Sequence, residues 1–236
     1  MASQQDVQFL SFNTRISPEL VTYQTPSPAE LEEMKSKDPA LRHTWTIWEQ
    51  IAQTQRDNSQ YSDQTNRVAS FSTVKGFWKY WNHLPQPSML LDGKKFVRVT
   101  PDNKNVVDAL MLFREGIKPE WEDTANAAGG HFQFQLKATL GGGAIDEYWN
   151  NIVLGMIGGS IEPADMITGV RLLDKLTNKR AAFIRIEVWF SNFNDTEKVD
   201  LLQQSLERCM STHLDGTQSS AAWGKTEKMS HAPTKK

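Results

Sequence analysis

A chain of 236 residues can bury one sizeable core, and its formal net charge of −2 with an isoelectric point near 6.2 excludes a generally basic coat for nucleic acid, so any nucleotide contact must be local. The single cysteine, Cys209, excludes a disulfide framework or a cysteine-rich zinc site and points to a reducing compartment. No apolar run approaches the roughly 18 residues of a membrane helix and the N-terminus carries no basic-then-apolar leader, so a cytoplasmic or nuclear protein without a membrane span is expected.

Residues 1–38 mix Ser, Pro, Gln and charge and read as a flexible tail, with a short helix around Ala29–Lys37. The fold begins at His43–Ile51, where Trp45, Ile47 and Ile51 alternate against Thr44, Thr46, Trp48 and Gln50 as in a strand. Gln53–Gln64 is a long polar loop whose one aromatic, Tyr61, either tucks onto the body or offers a stacking face. Val68–Phe71 is a short strand, Ser72–Thr73 an N-cap candidate, and Val74, Phe77, Trp78 and Trp81 form one stripe of a helix that Pro85 stops. Pro85–Asp108 reads as loop, and Ala109–Phe113 as a buried strand.

The run Arg114–Asp123 is interrupted by Gly116 and Pro119, so it reads as a loop that holds up Trp121 directly before Glu122 and Asp123. An indole stacks on a purine face, and guanine alone offers N1–H and N2–H as a paired donor edge that one carboxylate can accept bidentately. Methylation at N7 makes the ring cationic and adds a cation–π contribution to the stack. The alternative is that Trp121 caps a small hydrophobic cluster while the carboxylates are solvated.

Gly129–Gly130 closes the loop, and His131–Lys137 alternates, with Phe132, Phe134 and Leu136 on one face and His131, Gln133 and Gln135 on the other. The turn Gly141–Gly143 lacks a following Gly-Lys-Ser/Thr and so is no phosphate loop. A helix from about Ala144 carries Ile145, Trp149, Ile152, Val153 and Met156 and ends at Gly158–Gly159. Strand Gly169–Leu173 turns near Thr177 and returns through Ala181–Phe190, where Ile184, Ile186, Val188 and Phe190 oppose Phe183, Arg185, Glu187 and Trp189. Arg185 and Trp189 share a face about 13 Å apart and either span from a base to its phosphates or are a solvated charge beside a packed indole. Asn194 with Glu197 resembles a capping box opening a third helix along Val199, Leu202, Leu206, Cys209 and Met210. Trp223 is isolated in the polar remainder, residues 214–236, which reads as a flexible C-terminal tail. The pattern predicts an α+β domain: a curved antiparallel β-sheet with three helices on its convex, dorsal face and the concave face left for a ligand.

In order, Trp45-Thr46-Ile47-Trp48, Phe71–Trp78, Asn82-His83-Leu84, Gly116–Asp123, Gly129-Gly130, Tyr148-Trp149, Leu154–Gly158, Gly169-Val170 and Trp189 resemble the mRNA cap-binding translation initiation factor 4E over roughly residues 39–210. The resemblance implies a binder and not an enzyme, without metal or cofactor, that holds the 7-methylguanosine triphosphate cap of mRNA and acts as a monomer in protein biosynthesis. It implies Trp121 and Tyr61 as the two stacking rings, Glu122 as the guanine-reading carboxylate, Trp189 at the N7-methyl and Arg185 at the phosphates. A second phosphate cation falls to Arg180 or Lys175. It further implies a dorsal surface at Val74 and Trp78, with Trp45 and Pro39 near it, for a scaffold factor of the 4G type or a 4E-binding repressor carrying a Tyr-x4-Leu-hydrophobic motif.

The departures from that pattern are Tyr61 for tryptophan, His131 where the family has an arginine near the phosphates, and Asn150 for an apolar residue of the dorsal surface. A longer hairpin between Gly169 and Trp189 and an inserted loop at about 94–107 also set the chain apart, in the manner of divergent protozoan members, trypanosomatids in particular. The binding domain is expected over residues 39–213. Rival readings are a carbohydrate-binding module, which has no use for Arg180 and Arg185, and a family relative that represses translation through partners alone.

Overall fold

The computed structural model of the chain describes residues 27–52, 64–177, 182–213, 217–218, 223–224 and 226–232. After helix α1 (Pro28–Ser36), strands β1 (Ala40–Ile51) and β2 (Thr65–Thr73) lead into α2 (Val74–Trp81). Strands β3 (Phe96–Val99), β4 (Lys104–Arg114) and β5 (Gly130–Leu136) precede α3 (Gly142–Gly158), and β6 (Ile167–Asp174) and β7 (Ile184–Phe190) precede α4 (Thr196–Ser211) and β8 (Thr226–Ser230). All neighbours pair antiparallel, in the order β2-β1-β4-β6-β7-β5-β8, with β3 beside the start of β4. This is the α+β arrangement that the alternation predicts.

Period-two alternation sorts the sheet's residues into two layers. Phe132, Phe134, Leu136, Ile184, Ile186 and Val188 join Trp149, Ile152, Leu202 and Leu206 in the main core, under the helices. Each such side chain contributes roughly 1.5–3 kcal/mol by leaving water. The strand β4 is apolar on both faces, because Leu110 and Leu112 serve that core while Ala109, Met111 and Phe113 form a second cluster with Leu173 and Trp189. The second cluster is the floor of the opposite, concave face, flanked by Trp48 and Ile117.

Several boundaries differ from the expectation. The segment 94–107 is no loop: β3 and the start of β4 make a hairpin with Phe96 opposite Val107, both buried. Thr100 and Asn103 close its turn through their backbones at 2.8 Å, with Pro101 presetting the first turn position. Residues Thr226–Ser230, expected within a flexible tail, form an edge strand on β5 with Met229 opposite His131. An edge strand needs only one packed side, so its polar composition hides it. Asp195 and not Asn194 caps α4, since its carboxylate accepts from the Lys198 N–H at 3.2 Å. Trp223 packs edge-on against Tyr148 of α3, with ring centres 6.2 Å apart, so it docks on the body. No helix among the described residues is long and apolar enough to cross a membrane.

Candidate functional site

Gly116, with φ of +83°, turns the chain out of β4 into the loop that carries Trp121. Asn126 holds the loop's shape by donating its amide to the carbonyls of Lys118 and Glu120, both at 2.9 Å. Of the two carboxylates after Trp121, Asp123 is consumed internally, accepting from the N–H groups of Lys118 and Ala125 at 2.9 Å. Glu122 stays exposed and makes no hydrogen bond or ion pair among the described residues. The loop therefore separates a structural acid from one that is available to a ligand.

Trp121 is 49% exposed, an unusual state for an indole on a fixed loop. It lines a cavity of about 250 Å³ with Pro119, Glu120, Glu122, Arg171 and Trp189. One face of its ring lies on His231, 5.6 Å away between centres and inclined by 12°. His231 follows β8 directly, and its own backbone N–H reaches the Gly129 carbonyl at 3.1 Å.

His231 also closes a short chain of hydrogen bonds. Its Nδ1 lies 3.0 Å from the Asn126 carbonyl, which only accepts, so Nδ1 carries the proton and Nε2 is left as an acceptor. Nδ1 of His131, at 3.0 Å, is then the donor to that Nε2. Burial pushes the His131 imidazolium down to about 4, and burial lowers that of His231 as well, so both rings are neutral at pH 7. His131 thus supplies no cation there, and its ring packs against both Trp189 and His231, which touch each other with ring centres 4.4 Å apart.

Behind the cavity the concave floor carries charge. Glu187, 3% exposed, accepts from the Trp189 indole at 3.1 Å and pairs with Arg171 at 3.3 Å and Arg185 at 2.9 Å. Burial raises the Glu187 carboxyl, but the two arginines, with the indole N–H, outweigh it and hold the group below the usual carboxylate range. Arg171 donates to Gln50 at 3.3 Å and sets its guanidinium 5.4 Å from the centre of the Trp189 ring. On the other side of that indole stands Phe113, edge-on at 5.3 Å. Phe113 pairs with Gly169, where a Cβ would come within 2.4 Å of the phenyl ring, so glycine makes room for the ring that supports Trp189.

The structure brings Trp121, Glu122, Trp189, Arg185 and His131 to this one face. Lys175 lies at the end of β6, its N–H bonded to the Phe183 carbonyl at 3.1 Å. Tyr61 and Arg180 lie outside the described residues. Sequence reasoning overlooked Arg171, Glu187, Asn126 and His231. The first left a signal, a lone arginine in an apolar strand, whereas His231 stood in a polar tail without periodicity.

On the dorsal side, Val74 and Trp78 sit half-buried one helical turn apart on α2, whose first N–H bonds the Pro39 carbonyl at 2.9 Å. Two expected members do not belong to that surface. Trp45 is 1% exposed and lies in the main core. Asn150 is fully buried, accepting from the Trp81 indole at 2.9 Å and donating to Gln86 at 2.8 Å. A buried indole N–H needs an acceptor, and Asn150 supplies it where an apolar residue could not.

The family model described as Eukaryotic initiation factor 4E matches residues 40–234. Eukaryotic translation initiation factor 4E-2 of Schizosaccharomyces pombe is 32% identical over 193 residues, covering 78% of this chain and 70% of the relative. Factor 4E-1 of the same yeast is 31% identical over 157 residues, covering 66% of this chain and 62% of its own length. Among solved structures, the complex of C. elegans eIF4E-3 with the 4E-binding protein Mextli and a cap analog aligns with a TM-score of 0.58 at 23% identity, covering 74% of this chain and 87% of that one. A likeness at that identity bears on the fold.

Proposed function

Because the chain belongs to the eukaryotic initiation factor 4E family, we propose that its concave site binds the 7-methylguanosine cap of mRNA in translation initiation. The observation that carries this reading is the cavity wall itself, where a half-exposed Trp121 stands beside an uncommitted Glu122 and opposite the buried Trp189. The guanine stacks on Trp121, its N1–H and N2–H donate to Glu122, and its N7 side turns to Trp189. Arg185, with Lys175 or Arg180, takes the phosphates. The site binds and does no chemistry, in the cytoplasm, and Tyr61 is the candidate for the second ring. Stacking at about 1–3 kcal/mol per ring and charge-assisted hydrogen bonds at about 1.5–3 kcal/mol, set against the cost of association, give an affinity on the order of micromolar.

A titration read from tryptophan quenching tests this. 7-Methyl-GTP quenches saturably and its binding weakens as salt rises, while a neutral oligosaccharide has no effect. Quenching by the sugar alone supports the carbohydrate-module reading instead.

The dorsal surface formed by Val74 and Trp78, with Pro39 beside it, docks a scaffold or repressor through a Tyr-x4-Leu-hydrophobic helix. Trp78 is half-buried, so its exposed edge is the anchor. Trp78→Ala weakens such a peptide by at least about tenfold, the usual consequence of losing a tryptophan hot spot, and isothermal calorimetry reads the change. Equal affinity for the two proteins excludes the dorsal site. An activator and a repressor share this surface, and the translation of capped reporter mRNA on adding the protein separates them.

A further inference from the structure

Arg171 and Glu187 are the two charges of the concave floor that the proposed mode of cap binding does not yet use. They are cross-strand partners, Arg171 opposite Glu187, two residues along from Gly169 opposite Trp189. Arg171 and Trp189 therefore stand side by side, and both line the cavity that Trp121 and Glu122 open. If Glu122 accepts from N1–H and N2–H, O6 stands at the next corner of the ring and the N7 side faces the rest of the cavity wall. The remaining lining residues among those described are Pro119, Glu120, Arg171 and Trp189, and of these only Arg171 donates hydrogen bonds from a charged group.

We propose that Arg171, balanced by Glu187, reads the O6 and N7 edge of the bound guanine and so sets how strongly the site prefers a methylated over an unmethylated base. This rests on the cap-binding reading above. An arginine is the side chain best matched to guanine O6 and N7 when both are free acceptors. Methylation removes the N7 acceptor and places positive charge on the ring, so the same guanidinium that favours plain guanine opposes the methylated one. The Glu187 carboxylate, 3.3 Å from Arg171, offsets that opposition. A wall of Trp189 alone favours the methylated ring, whereas Trp189 with a compensated arginine accepts both.

Opposite responses in two single variants follow. In Arg171→Met the cation is gone while Glu187 keeps Arg185 and the Trp189 N–H, so the ratio of affinities for 7-methyl-GTP over GTP rises by about fivefold, roughly 1 kcal/mol. In Glu187→Gln the shape is kept and Arg171 loses this carboxylate from its surroundings, so the same ratio falls by about fivefold. Arg185 is released in the second variant too, but it acts on the triphosphate that both ligands share and cancels from the ratio. Arg171→Lys keeps the charge and holds the ratio near the wild type.

The experiment is a fluorescence titration of the full chain with 7-methyl-GTP and with GTP for the wild type and the three variants, beside thermal melts. Ratios that move in opposite directions in the Met and Gln variants support the assignment. A merely structural role weakens both ligands together and leaves the ratio unchanged, which overturns it, as does a ratio that moves the same way in both. Should Arg171→Met fail to fold, the fall of the ratio in Glu187→Gln decides the matter. Wild-type protein that ignores 7-methyl-GTP overturns the cap-binding reading along with this one, while wild-type binding with an unmoved ratio overturns this one alone.

Discussion

Trp121→Ala and Glu122→Ala each abolish retention of the protein on 7-methylguanosine resin while leaving its thermal melt nearly in place. The asymmetry follows from exposure. Trp121 keeps 49% of its surface in water, so truncating it removes little of the buried area that holds the fold. Its loss deletes one stacking face, at about 1–3 kcal/mol. Glu122 is exposed and bonds to nothing among the described residues, so the fold does not depend on it. Yet in the proposed mode of binding its carboxylate is the group that selects guanine, by accepting from the paired N1–H and N2–H donors. Glu122→Gln is the sharper probe, since it keeps the shape and turns one acceptor into a donor that faces N1–H. It therefore loses guanine selectivity as well as affinity. Asp123→Asn differs from both, because Asp123 accepts from two backbone N–H groups and its damage shows first in the melt. Wild-type retention of either Trp121→Ala or Glu122→Ala sinks the assignment.

Acid is the second strong lever. The unfolded chain protonates His131 near pH 6.5, but burial delays that in the fold to about pH 4. Between those values the unfolded state binds more protons, so unfolding free energy falls as the pH falls, by up to about 3 kcal/mol across the window. Above pH 6.5 this contribution is flat. His231 adds to the loss with the same sign, its imidazolium being disfavoured chiefly by burial. The groups facing the pair are Glu187, Arg171 and Arg185 on the floor and Glu122 on the loop. Glu187, held below the carboxylate range, contributes stability that is lost only at more acidic pH than the histidine window. Urea unfolding at a series of pH values checks this, with His131→Phe expected to flatten the curve between pH 6.5 and 4.5. Parallel curves for the two proteins rule out His131 as the source. Once acid protonates His231, cap affinity falls as well, because a charged His231 under one face of Trp121 competes with a cationic base on the other.

Much of this protein is legible in its residues because local physics wrote it. Alternation of Phe132, Phe134 and Leu136 against His131, Gln133 and Gln135 names the two faces of β5, and Ile184 to Phe190 do the same for β7. Gly116 and Pro119 mark the loop, and the Trp121–Glu122 pair names a candidate ligand chemistry before any fold is known. Periodicity states which face a side chain takes, and it is silent on what it meets there. Asn150 lies on the helix whose apolar stripe is plain, yet its burial against the Trp81 indole comes from a partner 69 residues away.

The tertiary structure alone decided the remainder. Only strand order sets Arg171 across from Glu187, so that two arginines, a carboxylate and an indole N–H share a few ångströms of buried space. Only the pairing of β8 on β5 carries His231 back to His131, 100 residues earlier in the chain, and beneath Trp121. Short polar edge strands such as β8 and the β3 hairpin carry little periodicity because one side of each needs no packing partner. Local sequence determines faces and turns, whereas contacts between distant segments depend on the one global arrangement that buries all the apolar faces at once.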